Sequence, residues 1–244
     1  MYLILDPAHI LKTLYALEAR ISERFPGSGL AKVCSELIGV TEESGTRIAA
    51  LSRPYVGLRF AVISILAAGA ATLAYVGSII QVKGDAENLY GVMQGIDSAF
   101  NIIVLMGAGL LFLSTLEARW KRQQAMQHLH ELRSIIHVID MHQLPKDPSA
   151  ARPPTVATLG GPQRAMTPFE LARYLDYCSE MLSLAAKVAA LYAQSTKDPI
   201  VVETASDLGQ ITANLSSKIW QKITILYQPA GTLPAAETSG ALGP

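Results

Sequence analysis

The stretch FAVISILAAGAATLAYVGSIIQV, residues 60–82, runs for 23 residues without a charge, and SAFNIIVLMGAGLLFLSTL, residues 98–116, runs for 19 more. A helix rises about 1.5 Å per residue, so each stretch is long enough to cross a hydrocarbon layer of about 30 Å. Buried helices of soluble proteins pass the same length test. A chain of 244 residues, however, has too little remaining mass to cover both on every side. The two stretches therefore predict transmembrane spans at 60–82 and 98–116 within a hairpin over 57–116.

Composition agrees. Half of the residues are hydrophobic and 16% are charged, against about 25% charged in ordinary soluble domains. Lys+Arg and Asp+Glu are both 20, a balance that leaves no basic footprint for nucleic acid. Two cysteines, Cys34 and Cys178, make no zinc-finger or CxxC spacing. Both fall on apolar helix faces, where inert buried thiols are expected.

Orientation follows from the basic residues. Arg47, Arg53 and Arg59 precede the first span, and Arg119, Lys121 and Arg122 follow the second. The connection 83–97 carries Lys83 against Asp85, Glu87 and Asp97. An integral membrane protein with both termini cytoplasmic and the loop 83–97 outside is the expectation. Tyr55 and Trp120 fall at the inner boundary, where amphipathic rings anchor.

Within the first span Ala67, Ala70, Ala74 and Gly77 share one face, a stripe that lets another backbone approach closely. In the second, Gly107 and the amide of Asn101 stand out. Hairpin packing and contacts between copies explain these marks equally well. A buried amide needs a partner, so Asn101 is expected to find one on the first span or on another subunit.

The remaining chain reads as helices throughout. Residues 1–56 hold two: one opened by Asp6-Pro7 with Ile10, Leu14, Leu17 and Ile21 on one face, and one opened by Ser28 that runs to the membrane. The second span meets no proline or glycine between Gly109 and Pro145, so it is read as one helix continuing through 117–144. Along it Ala125, Leu129, Leu132, Ile136 and Ile139 form a coiled-coil-like seam. Residues 145–166 are a Pro/Gly-rich linker. Thr167-Pro168-Phe169-Glu170 is a capping box that opens an antiparallel hairpin over 167–227, with Asp198-Pro199 starting its second helix. Residues 228–244 read as a disordered tail. The fold class is an all-α membrane protein, two spans plus a cytoplasmic helical bundle ending in a helical hairpin.

Chemistry is sparse. His130, Arg133, His137 and Asp140 form a polar stripe in which His137 and Asp140 are spaced for contact, so His130, His137 and Asp140 are the candidate metal ligands. His128 and His142 fall on the other side of the apolar seam. Two credible ligands fall short of the three or four that a metal site needs. No resident cofactor is expected, with a metal ion as the exception. Tyr174 and Tyr177 are assigned to packing. No P-loop, nucleotide-binding glycine motif, nucleophile elbow or HExxH is present.

The chain thus reads as a non-catalytic, membrane-anchored interaction or assembly protein whose partners are the bilayer, further copies of itself and a cytoplasmic protein. An oligomeric two-span pore, with Asn101 facing its axis, is the alternative. A metal- or haem-binding sensor using the histidine stripe is the second alternative.

Overall fold

The computed structural model describes residues 4–79, 89–146, 148 and 166–227. Among them the chain is helical and contains no strand, in six elements: α1 (Pro7–Arg24), α2 (Gly29–Ser52), α3 (Val56–Ile79), α4 (Leu89–Gln143), α5 (Pro168–Ser195) and α6 (Pro199–Tyr227). The expected linker, apart from its two ends, and the expected tail lie outside the described residues.

The start signals work as their chemistry requires. Asp6 accepts from the Ala8 amide at 2.9 Å, and Ser28 from the Ala31 amide at 3.3 Å. Thr167 and Glu170 form the complete capping box. Asp198 accepts from the Ile200 amide at 3.0 Å. Each caps an amide that the helix itself leaves without a partner. Between α1 and α2 the chain reverses through Gly27, whose φ of 69° is a conformation that side chains with a Cβ resist.

α4 is the axis of the molecule. Its 55 residues span about 83 Å at the standard rise. It starts at Leu89, so residues 89–97 of the expected loop are helical. Nothing in Leu89-Tyr-Gly-Val-Met breaks a helix strongly, and Asp97 marks the edge of the uncharged stretch without ending the helix. The N-terminal half of α4 pairs with α3, while the C-terminal half packs on α2, α5 and α6.

The two halves differ completely in burial. α3 and the first half of α4 each contain a window apolar and long enough to cross a membrane, with mean hydropathies of 1.9 and 2.1, and none of either window is buried. In the second half of α4, Ala125, Leu129, Leu132, Ile136 and Ile139 are all buried, as the seam predicts. They face α2, α5 and α6 of the same chain. The seam therefore closes a bundle within one molecule.

α5 is the centre of that bundle and touches α1, α2, α4 and α6. Two apolar rows of its sequence are buried, Leu171, Leu175, Cys178, Leu182, Ala185, Ala189 and Tyr192 in one and Met181, Leu184, Val188 and Leu191 in the other. A helix surrounded by four others needs such a wide apolar face. The five helices run up and down. The segments at Leu5, Arg53–Tyr55, Glu117–Arg122 and Gln194–Ile200 gather beside the apolar hairpin. The α1–α2 turn and the ends of α4 and α6 gather at the far end, where His142 lies against Gly29 and Lys222 donates to the Gln143 carbonyl at 2.9 Å.

Candidate functional site

The polar atoms of the bundle concentrate where α2, α4 and α5 meet. Arg47 on α2 reaches across to α4, with Nη1 donating to Nδ1 of His128 at 2.6 Å and to Glu131 at 2.8 Å. Its other nitrogen, Nη2, donates to Glu43 one turn back. Arginine has no lone pair to offer, so Nδ1 is the accepting nitrogen of His128. The His128 ring lies 5.9 Å from that of Tyr192 on α5, whose hydroxyl donates to Ser44 at 3.0 Å. Ser44 and Thr41, both buried, donate to the carbonyls one turn behind them at 2.6 Å, so neither hydroxyl is left unmatched. Burial works to raise the Glu131 carboxyl, but the Arg47 guanidinium outweighs it and holds the group below the usual carboxylate range. This network ties three helices together around a cation. Nothing in it is arranged as nucleophile, base and orienting group.

The second polar cluster sits at the root of the hairpin. Tyr55, last of the three residues between α2 and α3, packs edge-on against Trp120 of α4 with ring centroids 6.0 Å apart. Lys121 stands 5.9 Å over the Tyr55 ring and bridges to Glu117 at 2.8 Å. The Tyr55 hydroxyl donates to Gln124 at 3.3 Å. The two rings assigned to one boundary from sequence therefore touch each other, and they clasp the start of α3 to the middle of α4.

At the far end a cavity of about 320 Å³ is lined by Arg20, Glu23, Arg24, Arg173 and Tyr177. Its arginines are largely committed. Arg20 holds Glu180 with both terminal nitrogens, at 2.6 and 3.2 Å, and Arg173 holds Asp176 at 2.8 Å. Tyr174 and Tyr177 serve as packing groups here, edge-on to Phe25 at 5.5 and 6.3 Å.

The histidine stripe is placed as follows. His130 and His137 are exposed on the outer face of α4. Asp140 is half-buried and accepts from the amide of Gln143 at 2.6 Å. His142 is on the opposite flank, against Gly29. Among the described residues no three His, Cys, Asp or Glu side chains come close enough together to hold a metal ion. The histidine that enters a built network is His128, and its partners on α2 and α5 are far away in sequence.

The span residues also separate. Ala67, Ala70, Ala74 and Gly77 are exposed, on the side of α3 turned away from α4. The hairpin closes instead at Gly69, where the Met106 thioether fills the space a side chain would need. Gly107 is half-buried, and nothing within 4 Å would meet a Cβ added there. Asn101 is exposed, and its amide points to Asp97, one turn back on the same helix, at 3.5 Å.

Both cysteines are buried, as expected, and burial raises each thiol to about 12. Burial raises Tyr174 and Tyr192 as well. These groups keep their protons longer in the folded state than in the unfolded state. The stability they contribute is complete below the unfolded thiol value of 9.0 and is lost as pH climbs towards 12. The thermal midpoint of the bundle is expected to fall between neutral pH and about pH 11, and replacing Cys178 by Ser should flatten part of that fall. A midpoint unchanged across that window would show that the thiols are not sealed from water. No family model, curated protein or solved structure matches this chain.

Proposed function

We propose that this chain is a membrane-anchored helical assembly protein, in which α3 and the first half of α4 cross the bilayer and the five-helix bundle stands on the cytoplasmic side with both termini. The carrying observation is α4 itself: one helix whose apolar half is bare and whose polar half forms the seam of a closed core. In water, a bare hairpin of that hydropathy is an aggregation surface; in lipid it needs no other cover. The excess of Arg and Lys on the bundle side supports the orientation.

The bundle satisfies its main apolar faces within one chain, so assembly is assigned to the hairpin. The stripe Ala67, Ala70, Ala74 and Gly77 faces away from α4 and is free to meet a second copy. Native mass spectrometry of the full chain released from nanodiscs tests this. Assemblies of two or more metal-free copies are expected, and replacing Ala70 and Ala74 by Leu should shift them towards monomer several-fold. A monomer for the parent protein would overturn self-assembly. A bound metal lost when His137 becomes Ala would turn the reading towards a sensor.

A further inference from the structure

We propose that the end of the bundle beside the hairpin is itself a bilayer-contact surface, seated in the acidic headgroup layer of the leaflet that α3 and α4 enter. This rests on the membrane reading given above and adds a second, non-spanning contact to it.

Three observations converge. Ile4, Leu5, Ile200 and Val202 are exposed at this end, Ile4 by 73%. The segment that carries Ile4 and Leu5 is held in place: Leu5 donates to the side-chain carbonyl of Gln194 at 3.0 Å, and the Gln194 amide returns a bond to the Leu5 carbonyl at 3.3 Å. Two reciprocal bonds thus fix an apolar segment on the rim of the bundle, beyond the Asp6 cap, where it covers no core. Ile200 and Val202 stand in the first turn of α6. That turn is fixed at the hairpin's level because Asp198 holds Arg122 of α4 at 2.7 Å. Trp120, 44% exposed, is within one turn of Arg122 on the same helix.

Charge completes the surface. Arg53, Arg59, Arg119 and Lys197 are exposed at the same end. The acids nearby are engaged: Glu117 with Lys121, Asp198 with Arg122, and Asp6 with the Ala8 amide and His9. Glu203, a turn along α6, is the exposed acid that remains. Aliphatic side chains ringed by surplus cations, at the height where two spanning helices leave the bilayer, match the chemistry of an acidic lipid surface. A protein partner at this height would have to displace the headgroups on which the helices already stand.

Spin labels on the full chain in nanodiscs test the proposal, placed singly at Ile4→Cys, Ile200→Cys, Leu105→Cys and Phe169→Cys. Leu105, 77% exposed, reports insertion of α4, and Phe169, 58% exposed, reports the far end of the bundle. With discs of phosphatidylcholine and phosphatidylglycerol, the ratio of oxygen to nickel-chelate accessibility at residues 4 and 200 is expected to exceed that at residue 169 several-fold, approaching that at residue 105. Neutralising Arg53 and Lys197 to Gln should lower the ratio at residue 200 in acidic discs and leave it unchanged in pure phosphatidylcholine. Residue 105 in lipid with residues 4 and 200 as wet as residue 169 overturns this contact and leaves the spans standing. Residue 105 in water overturns both.

Discussion

Ile136→Asp is expected to unfold the bundle and leave the protein in the membrane. Ile136 is fully buried in the seam of α4, between the surfaces of α2, α5 and α6. Losing the aliphatic side chain alone costs about 2–5 kcal/mol. The carboxylate that replaces it would have no cation within the seam, where the neighbouring positions Leu129, Leu132 and Ile139 are apolar and buried. A buried unpaired charge adds several kcal/mol more, unless it takes up a proton. Together these approach the whole stability of a typical domain, about 5–15 kcal/mol. Limited proteolysis should cut the variant throughout α1, α2, α5 and α6, while alkaline carbonate should fail to extract the α3–α4 fragment. A variant that stays protease-resistant would mean that the seam is not the core. One that washes off the membrane would mean that the hairpin does not anchor it.

The separability behind that prediction was legible in the sequence, because it rests on local signals. Runs without charge, capping residues and helical spacing are read within one or two turns, and each names its own element. Hence the start of α5 at Thr167-Pro168-Phe169-Glu170, the unbroken helix past Trp120 and the buried seam all appear where the residues place them. The polar network was not legible for the opposite reason. Arg47 reads as one basic residue before a span, and its partners His128 and Glu131 lie 81 and 84 residues away. Spacing along α4 puts His128 and His142 on the same side of the apolar seam, yet the two end in unrelated surroundings, one against Arg47 and Tyr192 and the other against Gly29. The small-residue stripe shows a third kind of limit. Periodicity locates a face that admits close approach but carries no information about which helix takes it, and in the structure α4 takes Gly69 instead.

That α4 joins the two halves as one stiff rod, and not as two helices in series, is a statement about mechanics with a direct measurement. Spin labels at Leu111 and Met141, both exposed by two thirds or more, lie 30 residues apart on a helix the structure shows unbroken. The standard rise puts them about 45 Å apart. Pulsed dipolar spectroscopy on the parent protein should return one narrow distance distribution near that value. Ala118→Pro is then expected to broaden and shorten it. Position 118 is exposed, so the substitution disturbs little packing, but it removes a backbone bond and drives the ring against the carbonyl of Ser114, at a cost of about 3 kcal/mol. Ala118→Gly, which costs about 1 kcal/mol and keeps the bond, should leave the distribution narrow. The clasp of Tyr55 on Trp120 opposes the kink from the other strand of the hairpin, so Tyr55→Ala combined with Ala118→Pro should broaden the distribution further than proline alone. If the proline variant keeps the parent distribution, the packing around α4 fixes the bundle on the hairpin and the continuity of the helix is incidental. If the parent protein is already broad, the bundle swings freely and could not hold Ile4 and Ile200 at a constant height above the bilayer.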